Sequence, residues 1–149
     1  MKPRPTYSLD HVHVLVADRE LAAGWYSRVF SLVEVERSAD PYGPLTLSGD
    51  SGESGLALFT SRVPSDPNRV VALRVDAEEF LHFAERLLEL EVRAPSGARL
   101  RPEDAIDHGD VLSLYLCDPD GNAFELLTRE VESARRGLAE LEARSRIDL

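Results

Sequence analysis

Hydrophobic and polar positions alternate along much of the chain. Leu9 to Val16 alternates around two histidines and stops at Ala17-Asp18, which predicts a strand running into a helix N-cap. From Arg19 to Phe30 the period changes to that of a helix. Leu21, Trp25 and Val29 fall four apart, with Ala22, Tyr26 and Phe30 beside them as one apolar stripe. Leu32 to Arg37, Leu45 to Ser48 and Gly55 to Ser61 read as three strands. Pro41-Tyr42-Gly43-Pro44 is a turn, and residues 49 to 54 are a polar loop. Val63 to Asn68 reads as a linker.

The order then repeats. Arg69 to Val75 predicts a strand, Asp76 an N-cap, and Ala77 to Leu90 a helix with Phe80, Phe83, Leu87 and Leu90 inward. Val16 aligns with Val75 and, after one deletion, Asp18 with Asp76 and Trp25 with Phe83, so the chain carries an internal repeat. Ala94 to Asp110 is a Pro- and Gly-containing connection with one weak strand. Val111 to Cys117 and Asn122 to Thr128 form a hairpin about Asp118-Pro119-Asp120-Gly121. There Pro fixes φ, Asp bonds nearby backbone and Gly accepts a positive φ. Glu130 to Arg144 predicts a last helix, whose seam of Val131, Ala134, Leu138 and Leu141 packs on its own domain or on a partner subunit.

Composition narrows the function classes. The chain has 149 residues, a formal net charge of −10 and 43% hydrophobic residues, enough for a packed core. So acidic a protein is poorly suited to phosphate backbones, which sets nucleic acid aside. One cysteine, Cys117, excludes an internal disulfide and a Cys-based zinc site. No apolar run reaches the ~20 residues of a membrane span. Met1 to Pro5 lacks the apolar core of a secretory signal, so the expected setting is the cytoplasm, with no membrane partner.

Three stretches carry a family resemblance: Leu9-Asp10-His11-Val12-His13-Val14-Leu15-Val16-Ala17-Asp18, then Trp25-Tyr26-Ser27-Arg28-Val29-Phe30, then Asp118-Pro119-Asp120-Gly121-Asn122 with Glu125. Together with the repeat, they resemble the vicinal oxygen chelate superfamily, which includes glyoxalase I, fosfomycin-resistance thiol transferases, bleomycin-binding proteins and type I extradiol dioxygenases. The resemblance implies one α+β domain over residues 1–149. It would contain two tandem βαβββ modules (about 7–62 and 69–128), whose curved mixed sheets form a cleft, plus a C-terminal helix (about 130–146). It also implies a homodimer, a small-molecule ligand and, in metal-using members, ligands on the first and last strand of each module. Those positions fall here on His11, Ala57 (or Leu58 if the register slips by one), Val70 and Glu125. Two of the four can therefore coordinate.

Strand alternation gives a separate reading of the same face. If each leucine-valine face backs onto helices, the opposite faces receive His11, His13, Arg74, Ser113, Tyr115 and Glu125. His-x-His on one strand puts two imidazoles on one side, so His11, His13 and Glu125 could hold one divalent ion such as Zn, Fe, Ni or Mn. The other reading of His13 is a substrate-contacting or merely satisfied polar side chain. Arg74 could pair with Glu125 or anchor a substrate carboxylate, with Ser113 and Tyr115 as further substrate contacts. His108 could lid the cleft or act as a base, although its setting is that of an exposed loop residue.

The function expected is a metal-assisted lyase, isomerase, thiol transferase or dioxygenase acting on adjacent oxygens. Glu125, His13 and Tyr115 are the catalytic candidates, with His13 or Tyr115 as the proton-moving base. The alternatives are a metal-free drug- or metabolite-sequestering protein and, with the terminal seam as its only support, a non-catalytic subunit or sensor.

Overall fold

The computed structural model describes residues 6–63, 66 and 68–147. The chain falls into two compact units that divide between residues 64 and 65. Of the expected linker, Pro64, Ser65 and Pro67 lie outside the described residues.

The first unit runs β1 (His11–Val16), α1 (Arg19–Phe30), β2 (Val33–Arg37), β3 (Leu45–Ser48) and β4 (Gly55–Thr60). Its sheet has the order β1-β4-β3-β2. β1 pairs with β4 in parallel, His13 opposite Ala57, and β3 pairs with β4 antiparallel, Thr46 opposite Ala57. A parallel pair needs a crossover, and a helix on one face is the usual one. The Asp18 side chain starts that helix by accepting the Glu20 and Leu21 amides at 2.9 and 3.1 Å. Val14, Val16, Leu45, Leu47, Leu56 and Leu58 are buried with Ala22, Trp25, Tyr26 and Val29. Leu21, expected in the stripe, is 75% exposed. At 100° per residue it lies about 90° from the centre of the buried set, at the stripe's edge.

The second unit repeats the scheme with β5 (Val70–Arg74), α2 (Ala77–Arg86), β6 (Ile106–Asp107), β7 (Leu112–Cys117), β8 (Ala123–Thr128) and α3 (Val131–Ile147). Its sheet order is β5-β8-β7-β6, again with first and last strands parallel. The two tandem βαβββ modules and the terminal helix are therefore present. α2 stops four residues earlier than the periodicity suggests. Leu87, Leu88 and Glu89 donate to carbonyls three residues back, which tightens the chain out of the α-helix, and Leu90 is only half-buried. The connection after it holds one 3-10 turn, Pro102–Asp104, and the two-residue β6.

The α3 seam packs within its own unit, chiefly on α2, and its four expected residues are the buried ones. Gly137 permits the approach, since a Cβ there would stand 2.2 Å from Leu81 Cδ1. Glu130, just before α3, accepts the Ala77 amide at 2.7 Å and so ties the two helices at their N-terminal ends.

The β7–β8 turn is organised by Asp118, which is 4% exposed. Its Oδ1 accepts the Asp120 and Asn122 amides at 2.9 and 2.8 Å, and its Oδ2 accepts Asn122 Nδ2 at 2.8 Å. Gly121 takes φ 87°, the left-handed conformation expected of it. Asp118→Ala should destabilise the protein by about 1–2 kcal/mol, because two half-buried amides lose their acceptor, and Asp118→Asn by less. Urea unfolding of the three proteins measures this.

Candidate functional site

Both sheets have a covered face and an open one. On β1, Val14 and Val16 are buried towards the helix while His11 and His13 are exposed on the other side. Ala57 and Phe59 of β4 share that open side, in register with His13 and Leu15. In the second unit the open face carries Val70, Ala72 and Arg74 from β5. It also carries Ala123, Glu125 and Leu127 from β8, and Ser113, Tyr115 and Cys117 from β7.

In the first unit, three polar side chains meet. His11 Nε2 lies 3.0 Å from His13 Nε2, and the rings stack with centroids 5.0 Å apart. His11 Nδ1 lies 2.6 Å from Asp10 Oδ2. A carboxylate accepts only, so the His11 proton sits on Nδ1 and its Nε2 offers a lone pair, towards which His13 Nε2–H donates. His13 is backed by Phe59, with ring centroids 4.6 Å apart. Asp10 was not legible as a site residue. Its one signal is adjacency, a carboxylate directly before a candidate histidine.

This arrangement suits a cation. Two nitrogens each about 2.0–2.1 Å from one ion stand roughly 3 Å apart or a little more. An Asp that orients the far nitrogen of a ligating His is the usual outer partner of such a site. In the first unit His11 supplies such a nitrogen, and His13 supplies a second when its ring proton sits on Nδ1 and leaves Nε2 free. In neither unit do the described residues gather three His, Cys, Asp or Glu side chains that could hold a metal ion.

In the second unit Glu125 is half-buried on the central strand, between Ala72 on β5 and Tyr115 on β7. Ser113, fully buried, donates its hydroxyl to Glu125 Oε2 at 2.6 Å. The expected Arg74 partner is placed otherwise. Arg74 stands exposed at the end of β5, in register with Leu127, and Glu125 is bonded by Ser113 instead. Burial first, and then the Glu125 carboxylate beside it, raises the Tyr115 phenol above its usual pKa. At neutral pH Tyr115 therefore keeps its proton and serves as a donor, which argues against the role of base. His108 is exposed, as its loop setting suggests, yet its Nε2 lies 3.2 Å from the Tyr115 hydroxyl. Cys117 is half-buried, and burial followed by the Asp118 charge pushes its thiol upward, so it stays protonated.

Glu125→Gln should lower the pH at which Tyr115 ionises, because the neighbouring negative charge that opposes phenolate formation is gone. The burial contribution would remain, leaving the phenol above a free tyrosine. Ultraviolet absorbance titration of the two proteins, with Tyr115→Phe to identify the signal, gives the shift.

No protein-family model and no curated protein matches the chain. Solved structures do. A genomically encoded fosfomycin-resistance protein, FosX, from Listeria monocytogenes is 19% identical with a TM-score of 0.65, over 87% of this chain and 99% of that one. A mutant of that protein was crystallised with Mn(II) and 1S,2S-dihydroxypropylphosphonic acid. The oxidase ChaP-H1 is 23% identical with a TM-score of 0.65, over 83% and 97% of the two chains. A putative glyoxalase family protein from Bacillus anthracis is 18% identical with a TM-score of 0.63, over 86% and 99%. Identities this low speak to the fold. The chain shares the fold of these proteins, the two-module fold that the sequence resemblance implied.

Proposed function

We propose that this protein is a metal-assisted enzyme acting on a small molecule with two adjacent oxygens. The observation that carries the reading is the His11–His13 pair, its Nε2 atoms 3.0 Å apart with Asp10 on the far nitrogen of His11. His11 and His13 would hold the ion; the resemblance gives ligand positions at His11 and Glu125, and strand alternation adds His13. Zn, Fe, Ni and Mn all accept such donors, and Mn(II) accompanies the crystallised FosX mutant. A bound cation supplies Lewis acidity towards substrate oxygens.

The chain's own groups do the rest. Asp10 fixes the tautomer and ring orientation of His11. Ser113 occupies one carboxylate oxygen of Glu125 and so sets its direction. Tyr115 offers a proton for a hydrogen bond to a ligand oxygen. Arg74, exposed on the same face of the second sheet, is placed to attract an anionic ligand group. The reading includes a homodimer, as the resemblance implies, and a cytoplasmic setting.

A second reading, metal-free sequestration of a drug or metabolite, is favoured by Val70 and Ala57. Both lie on open faces at positions where the resemblance expects ligands, and neither has a donor.

Elemental analysis of untagged protein separates the two. Near-stoichiometric metal that falls at least tenfold in His11→Ala and in His13→Ala is the expected result, with Glu125→Ala weakening retention. Protein that carries no metal, and whose melting temperature does not rise on adding Zn, Ni, Mn or Fe(II), would overturn the enzyme reading in favour of sequestration.

A further inference from the structure

The turn that presents His108 is held at both ends by a residue distant in sequence. Arg135, on α3, bonds Asp107 through two nitrogens, Nε to Oδ2 at 2.5 Å and an Nη to Oδ1 at 2.9 Å. The same Nη reaches the Gly109 carbonyl at 3.2 Å. Within the turn, Asp107 Oδ1 accepts the Gly109 amide at 2.8 Å, and the His108 amide donates to the Val111 carbonyl at 2.9 Å. Gly109 takes φ 96°, which lets the chain double back. His108 is thereby pinned on either side while its ring lies edge-on to Tyr115, with centroids 6.3 Å apart.

The direction of the hydrogen bond follows from the charges around it. The Glu125 carboxylate, Tyr115's cross-strand neighbour, draws the phenol proton to its own side. The Tyr115 oxygen then presents a lone pair to His108, and His108 Nε2–H donates to it. Asp107, Asp110 and Arg135 are the other charged groups about the turn.

We propose that His108 is a positioning residue of the candidate site: held by the Arg135–Asp107 clamp, its Nε2–H fixes the Tyr115 hydroxyl with its single proton turned to the Glu125 side, where either that carboxylate or a ligand oxygen bound beside it accepts it. The proposal rests on the reading of this open face as ligand-binding. It makes the terminal helix, through one arginine, part of the machinery that orients Tyr115.

The test is the ring N–H signal of His108 in long-range proton–nitrogen spectra of metal-free protein at neutral pH, assigned with His108→Gln. An exchange-protected Nε2–H resonance is expected in the wild type. It should be lost in Tyr115→Phe and in Arg135→Gln. Melting temperatures and backbone spectra show whether each variant is folded. Persistence of the protected signal in Tyr115→Phe or in folded Arg135→Gln would overturn the proposal, as would its absence from the wild type. His11→Ala should leave the signal unchanged, so the failure of metal binding and the failure of this proposal are separate results.

Discussion

In each unit the first strand pairs in parallel with the last, and every candidate residue takes its place from that pairing. The crossover it requires puts a helix on one face of the sheet and leaves the other open. The last strand becomes central, flanked by the first strand on one side and an antiparallel neighbour on the other. Glu125 therefore sits between Ala72 and Tyr115, inside the sheet rather than at its rim. His11 and His13 lie on an edge strand, and their side chains turn towards one another there. The chemistry of each cluster differs accordingly. The carboxylate is gripped by a buried serine, while the imidazoles are exposed and reach each other through their tips.

The covered faces carry most of each unit's apolar core. Tyr26, Leu45 and Leu58 in the first unit, and Phe80, Leu114 and Leu116 in the second, are fully buried. The open faces instead carry polar groups that are paired one by one. Asp10 answers His11, His11 answers His13, and Ser113 answers Glu125. Among the described residues no buried side-chain polar atom is left unbonded. These matched sets keep donors and acceptors in fixed directions, which is what recognition of a small polar ligand asks of a face.

Much of this was legible in the chain itself. Period-two alternation separated Val14 and Val16 from His11 and His13, and the Asp118-Pro119-Asp120-Gly121 turn fixed the register that brings Tyr115 opposite Glu125. What escaped was set by interactions that no local pattern encodes. The end of α2 depends on carbonyls three residues back, where strong helix-forming residues favour continuation. The meeting of His11 and His13 through Nε2, with Asp10 behind, depends on rotamers. The placement of His108 depends on an ion pair spanning 28 residues, between a two-residue strand and the terminal helix.

The repeat supplies its own control on what the open faces are for. Parallel register makes His11 equivalent to Val70 and Ala57 equivalent to Glu125. His11 lies opposite Gly55 and Val70 opposite Ala123, while His13 pairs with Ala57 and Ala72 with Glu125. At each of the two equivalent positions one unit holds a donor and the other an apolar residue, and the strand pairing is the same. Val70 and Ala57 therefore demonstrate, within one chain, that the scaffold forms without a donor at either place. A fold that tolerates valine where His11 stands, and alanine where Glu125 stands, does not require the imidazole or the carboxylate for its architecture. Keeping a carboxylate amid Val70, Ala72, Ala123 and Leu127 even carries a desolvation cost that Ser113 must offset. The architecture thus leaves His11 and Glu125 available for the ligand roles proposed for them.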